Sequence, residues 1–280
     1  MSDSAGAQFG QRIWLRLRYE SGMLDPQAFR LDGKTILVTG AARGLGRAMA
    51  IGFAVFGADI VMCDRLGDDL ADTKETIEVF GRRAETAVLD VRDAAAVNAW
   101  VDSMEQVDVL VNNAAGTFHG SFLEATPNAQ KALVDSNFTS VTNLVRACVP
   151  KMPPGSSIIN ITSVEAFRGS PGFGIYGAMK AAVEHLTRTL ALELSDFGIR
   201  VNTIAPDGLP TPGDADLLVG DNDYGRKLAL GWGASDDIAG PAVFLASAAS
   251  RYVTGTTLHV DGGSDAARGW SRDASGNWVP

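Results

Sequence analysis

The stretch "ILVTGAARGLGRAMAIGFAVFGADIVMCDR", residues 36–65, decides the fold. A short aliphatic run ends at Thr39. Gly40, Gly44 and Gly46 follow, and an Ala-rich helical pattern opens near Leu45. A second apolar run then ends on Asp64. Strand, glycine turn, helix and strand within 30 residues have the length of one β-α-β crossover. The glycines let the chain turn tightly and bring its backbone close to a ligand. The helix start offers free N–H groups and a positive dipole, so the turn suits a pyrophosphate. The spacing is G-x-x-x-G-x-G rather than the commoner G-x-G-x-x-G. Asp64 lies 18 residues after Gly46, placed to accept hydrogen bonds from ribose hydroxyls. Its charge repels a 2′-phosphate and so favours NAD over NADP. Arg43 and Arg65 pull the other way, since either is able to reach a phosphate.

The same alternation continues along the chain. The apolar runs are "KTILVTG", "ADIVMCD", "TAVLDV", "VDVLVNN", "SIINITS", "IRVNTIAP" and "TTLHVDG". Most are continuously apolar, as strands covered on both faces require. Helical patterns separate them, such as the one through "VNAWVDSMEQ". The expected architecture is a single α/β domain: a Rossmann-like, doubly wound parallel sheet of about seven strands flanked by helices. Its bounds are read as 31–263, with an N-terminal extension over 1–30 and a polar tail over 264–280. The extension sets Ile13, Trp14 and Leu17 against Arg12, Arg16 and Arg18. It reads as a helix packed on the body or on a second subunit, and secondarily as a membrane-surface helix. Trp270 and Trp278 suggest that part of the tail docks.

Composition narrows the function classes. Of 280 residues, 46% are hydrophobic and 20% charged, and the net charge is -9 with a sequence pI of about 4.8. An acidic chain is a poor binder of nucleic acid through phosphate neutralisation, and of anionic lipid. Cys63 and Cys148 lie far apart inside apolar runs and read as small buried hydrophobes; no metal-ligand spacing occurs. The start "MSDSAGAQFG" lacks the pattern of a signal peptide, and no apolar run approaches a membrane span. The expected location is cytoplasmic.

A second stretch carries chemistry. "GIYGAMKAAVEHL", residues 174–186, reads as a helix, yet holds Tyr176 and Lys180 four residues apart on one face. Either a lysine stem passes an aromatic ring at a helix surface, or an ammonium promotes the acidity of a phenol. His185, nine residues beyond Tyr176, falls on the opposite side and is no catalytic candidate. His259 reads as structural.

Taken together, the motifs resemble those of the short-chain dehydrogenase/reductases. The match comprises "TGAARGLG" at 39–46, "NNAAG" at 112–116, Asn137 in "DSNFTSV", Ser163 in "IINITS" and the Y-x-x-x-K pair Tyr176 and Lys180. It continues through "RVNTIAP" to "YVTGTTLHVDGG" at 252–263. The resemblance implies Tyr176 as general acid/base, with Lys180 lowering its pKa and holding the nicotinamide ribose. It implies Ser163 as the hydrogen-bond partner of the substrate oxygen, and Asn137 as the anchor of a proton-carrying water. Hydride would pass between nicotinamide and substrate carbon. Cofactor contacts would come from Gly40, Arg43, Gly44, Leu45, Gly46, Asp64 and Arg65 at the first turn. Asp90 and Val91 would meet the adenine, and Asn113, Ala114 and Gly116 would line the cofactor. Pro206, Gly208, Leu209 and Thr211, together with Tyr176 and Lys180, would hold the nicotinamide end. It further implies a homodimer or homotetramer.

One position departs from the family pattern. Pro-Gly usually follows the sixth strand; here the order is Pro206-Asp207-Gly208. Asp207 reads as an exposed loop residue or as a contact to a polar substrate. The substrate wall is expected from Thr117, Phe118 and His119, from Val164 and Glu165, from 170–173 including Phe173, and from 212–232 as a mobile lid. Glu165 and His119 read as surface or supporting residues first, and substrate contacts second. The expected activity is an NAD-dependent secondary-alcohol dehydrogenase or ketone reductase. The alternatives are an NADPH-dependent 3-oxoacyl-thioester reductase and a non-catalytic nicotinamide-sensing regulator.

Overall fold

The computed structural model describes residues 25–212 and 222–280. The N-terminal segment with Trp14, and 213–221 of the expected lid, lie outside the described residues. Seven strands form one parallel sheet: β1 Thr35–Thr39, β2 Asp59–Asp64, β3 Ala84–Val88, β4 Val109–Asn112, β5 Ser157–Ile161, β6 Arg200–Pro206 and β7 Thr257–Val260. Their order across the sheet is β3-β2-β1-β4-β5-β6-β7. The chain starts in the middle, winds out to β3, returns to β4 beside β1 and winds out the other way. The switch point therefore lies between the carboxyl ends of β1 and β4, where open parallel sheets hold ligands.

The strand side chains alternate between two buried layers, which is why the runs read as continuously apolar. Ile36 and Val38 of β1 point to one layer and Leu37 to the other; Val109 and Val111 of β4 oppose Leu110 in the same way. The first layer is closed by helices α1 (Gly44–Val55), with Met49 and Phe53, and α7 (Ala239–Ala246), with Leu245. The second is closed by α3 (Ala94–Asp102), α5 (Ser140–Cys148) and α6 (Gly174–Glu193), through Val97, Leu144 and Val183. Each such side chain contributes about 1.5–3 kcal/mol on burial. Cys63 and Cys148 are fully buried in the second layer, and burial pushes their thiol pKa values up.

Local chemistry sets the helix ends. Asp93 caps α3 by accepting from the N–H groups of Ala95 and Ala96 at 3.0 and 3.1 Å. Thr126 caps α4 (Pro127–Val134), with Pro127 in the first turn where its missing N–H does no harm. Helix α2 spans Gly67–Val79. One strand stands outside the continuously apolar majority: β3 begins at Ala84, ends at Val88 and leaves Val88 71% exposed. It is the sheet edge, so one flank has no neighbour and the continuous apolar pattern fails there.

The tail is built, not trailing. A short helix, α8 (Ser264–Ala267), leads to a two-stranded hairpin of β8 (Ser271–Arg272) and β9 (Trp278–Val279). Arg272 lies over the Trp278 ring at 4.7 Å. The hairpin packs against the segment 222–227.

Candidate active site

The switch point is tied together by a residue that sequence reasoning passed over. Thr39 Oγ1 donates to the Val111 carbonyl and accepts from the N–H groups of Asn113 and Ala114, both at 3.0 Å. Asn113 Nδ2 in turn donates to the carbonyls of Thr39 and Gly40, at 2.9 and 3.0 Å. These bonds hold the ends of β1 and β4 side by side. Gly40 has φ +66°, and Gly46 lies so close to it that a Cβ there would stand 2.0 Å from the Gly40 carbonyl oxygen. A Cβ on Gly44 would meet Thr211 at 2.9 Å, so the residue expected at the nicotinamide end sits against the glycine turn. This backbone cradle fits a dinucleotide: side chains are excluded where pyrophosphate must approach. Leu45 packs on the first core layer behind the cradle.

Asp64, the residue expected at a ribose, has backbone partners of its own. Its carboxylate accepts from the N–H of Ala42 at 3.1 Å and from those of Arg65 and Leu66 at 2.7 and 3.2 Å, binding the end of β2 to the glycine turn. Arg43 and Arg65 are both exposed beside it. Asp90 is forked by Arg92, 2.5 Å at its shortest; that hydrogen bond holds its carboxyl below the usual range. The Val91 side chain packs into the second core layer.

Lys180 and Tyr176 meet at the carboxyl end of β5, Ser163 follows that strand, and the turn that holds Asn137 packs on α6. Lys180, 3% exposed, donates from Nζ to the Ile161 carbonyl at 2.9 Å and lies 5.6 Å from the Tyr176 ring centroid. Burial pulls its pKa down to about 8, so the group still holds its proton at neutral pH. Ser163, two residues after Ile161, is 8% exposed in extended backbone; its Oγ accepts from the Glu165 N–H at 3.2 Å. Asn137 lies in a π-turn, Asp135–Thr139, between α4 and α5. Its Nδ2 donates to the Gly116 and Leu133 carbonyls at 2.7 and 2.9 Å. Its buried Oδ1 takes no donor among the described residues. A π-turn widens the helix there and points the amide inwards.

The expected substrate wall divides in two. Phe173 packs edge-on to His119 at 5.2 Å and to Tyr176 at 6.4 Å. Phe118, Phe122, Leu133 and Ile175 line an apolar recess beside Phe173. The other side is polar. Glu165 accepts from Arg168 Nη2 at 2.7 Å and from Ser170 Oγ. Arg168 Nη2 also reaches Tyr224 Oη at 2.8 Å and Asp207 Oδ2 at 3.3 Å.

Asp207 corrects the sequence reading. Its side chain is 12% exposed, so it is not an exposed loop residue. It accepts from Gly208 N–H at 2.8 Å, Tyr224 Oη at 2.7 Å, Ser264 Oγ at 2.5 Å and Arg168. A carboxylate has about four acceptor positions, and all four here go to the protein. The expectation of a direct substrate contact at Asp207 therefore has no acceptor left to serve it. Burial, then the Asp207 charge, hold the Tyr224 phenol well above its ordinary pKa, so it remains a donor. Pro206 ends β6, and Gly208, at φ +62°, is packed against Leu228. Leu209 packs against Gly233.

Known proteins resemble this chain over most of its length. A family model described as Enoyl-(Acyl carrier protein) reductase matches residues 40–265. Gluconate 5-dehydrogenase of Gluconobacter oxydans is 35% identical over 252 residues, covering 86% of this chain and 98% of the relative. 3beta-hydroxysteroid dehydrogenase 1 of Eggerthella lenta is 39% identical over 253 residues, covering 83% and 94%. The crystal structure of a gluconate 5-dehydrogenase from Burkholderia cenocepacia, in complex with NADP and tartrate, superposes with a TM-score of 0.80 at 35% identity, covering 86% of this chain and 98% of that one. The chain belongs to the short-chain dehydrogenase/reductase family. It is a nicotinamide-dependent oxidoreductase, moving hydride between the cofactor and a secondary alcohol or ketone. Among the described residues no helix is long and apolar enough to cross a membrane.

Proposed function

We propose that Tyr176 handles the proton and that Lys180, Ser163 and Asn137 make this possible. The observation that carries the reading is the buried Lys180 ammonium, pinned to the Ile161 carbonyl beneath the Tyr176 ring. When bound, the nicotinamide supplies the hydride chemistry. Gly40, Gly44, Gly46, Asn113, Ala114, Gly116, Leu209 and Thr211 would hold it. In the oxidative direction the Tyr176 phenolate takes the substrate hydroxyl proton; in the reductive direction the phenol returns it. The positive charge at Lys180 favours the phenolate. Ser163 Oγ donates to the substrate oxygen and fixes its distance from Tyr176. Asn137 Oδ1, lacking a donor among the described residues, accepts from a water that passes protons between Lys180 and solvent.

NAD is the preferred cofactor, because the Asp64 carboxylate is fixed by three backbone N–H groups and does not swing away from a 2′-phosphate. The protein works as a cytoplasmic homodimer or homotetramer; sedimentation giving a stable monomer would refute the assembly. The test of the activity is nicotinamide absorbance with NAD and with NADP across secondary alcohols, gluconate and a 3β-hydroxysteroid. Acetoacetyl-CoA with the reduced cofactors covers the acyl-thioester reading. Turnover of an alcohol favouring NAD is expected; turnover of the thioester alone, with NADPH, would displace this reading.

A further inference from the structure

The polar half of the substrate wall contains a guanidinium used in an uneven way. Among the described residues the three acceptors of Arg168, on Glu165, Asp207 and Tyr224, converge on Nη2. Nε and Nη1 take no acceptor among the described residues, and the side chain is 30% exposed. An arginine fork is able to grip a carboxylate with two parallel bonds, as Arg92 grips Asp90. Among the described residues one corner of this fork is tied down and the rest takes no acceptor.

Its place in the fold matters equally. Glu165 shares the turn of Ser163, and Gly177, next to Tyr176, packs on the Glu165 carbonyl. Asp207 joins Pro206 to Gly208, beside the nicotinamide end. Arg168 thus bridges the turn that carries Ser163 and the turn after β6. Burial opposes its charge, but the Glu165 hydrogen bond and the neighbouring Tyr224 hold its pKa above the ordinary value, so the donors are always protonated.

We infer that Arg168 is a specificity-determining residue: its open N–H donors recognise a second, uncharged oxygen on the carbon next to the reacting one. The substrate class is a vicinal diol or its hydroxyketone. The charge balance disfavours a carboxylate at that position. Glu165 and Asp207 contribute two negative charges and Arg168 one positive, leaving a net negative cluster that repels an anion. Glu165 has acceptor capacity left for the hydroxyl proton, since each of its oxygens takes one protein donor. Asp207 is a positioning residue, acting through Arg168. This inference rests on the reading above that the space beside Ser163 and Tyr176 takes the substrate.

A matched series tests it: cyclohexanol, 1,2-cyclohexanediol and 2-hydroxycyclohexanecarboxylate. Each is titrated against the full chain saturated with NAD, and affinity is read from the thermal shift, so turnover is not needed. Wild type should bind the diol about ten- to a hundredfold more tightly than cyclohexanol, as a hydrogen bond to a charged donor provides, and should bind the carboxylate most weakly. Arg168→Met should erase the diol advantage, and Arg168→Lys should restore part of it. Asp207→Asn, which keeps an acceptor and removes a charge, should improve carboxylate binding relative to cyclohexanol. A merely structural Arg168 would shift all three probes together. The inference is overturned if the diol gives no shift or does no better than cyclohexanol. It is equally overturned if the carboxylate binds best, or if Arg168→Met and Arg168→Lys both leave the ranking intact. Should a variant not fold, the wild-type ranking still decides. Tyr176→Phe should keep the same ranking, so failure of the proton-transfer reading would show as retained turnover in that variant and not as a changed ranking.

Discussion

A lysine withdrawn from water destabilises a fold at every pH at which it stays charged. Lys180 has its pKa lowered from 10.5 to about 8 by burial, equivalent to about 3 kcal/mol. The native state binds this proton more weakly than the unfolded chain does. The penalty is therefore complete below pH 8 and fades as pH rises from about 8 towards 10.5. Replacing Lys180 by Met loses the bond to Ile161, worth about 1 kcal/mol, and still comes out ahead. Calorimetry at pH 7 should find Lys180→Met melting a few degrees higher than wild type, with the gain shrinking above pH 8, while turnover is lost. A variant less stable at pH 7 would mean that the lysine is retained for stability. Asp64 offers a second test at this scale. Asp64→Asn keeps an acceptor for the turn but removes the charge, and should raise the NADP-to-NAD ratio of kcat/KM by about tenfold or more. An unchanged ratio would assign cofactor choice to Arg43 and Arg65.

Among the elements, the glycine turn between β1 and α1 carries the tightest constraint. A methyl at Gly46 would collide with backbone, which has nowhere to move. Gly46→Ala should reduce stability by about 3 kcal/mol in urea denaturation and abolish cofactor binding in a fluorescence titration; tight binding by this variant would discredit the cradle. This turn was legible in the sequence because its glycines, strand and helix are contiguous. So were the central strands, whose residues meet apolar neighbours on both faces, and the Tyr176–Lys180 pair, four residues apart on one helix. What stayed hidden depends on distant partners. Asp207 was ambiguous because Arg168, Tyr224 and Ser264 are separated from it by 39, 17 and 57 residues. Thr39 was passed over because its role appears only once β4 lies beside β1. The edge place of β3 is not legible in its own run, because an edge position is a property of the sheet, not of the strand.

On the scale of the whole molecule, the chain's last segment belongs to the site's architecture. Ser264 donates to Asp207, the β8–β9 hairpin packs on 222–227, and Gly262 accepts from the Leu230 N–H at 3.0 Å. The strip 222–231 is thus held from both sides: by the turn after β6 and by the start of the tail. A chain ending at Gly263 should bind cofactor as before but be cut faster by trypsin after Arg226 and Lys227, with a lower melting temperature. Unchanged cleavage would mean that the tail merely decorates the surface. These levels join in one arrangement. In the proposed function the switch point would seat the cofactor, α6 sets Tyr176 beside Lys180, and the Asp207 cluster would border the substrate. The most direct test of that account compares wild type with Tyr176→Phe, following nicotinamide absorbance on the best alcohol of the panel and cofactor affinity in parallel. The account predicts turnover falling by about 10²–10⁴-fold with cofactor affinity unchanged; turnover near wild type in the phenylalanine variant would contradict it.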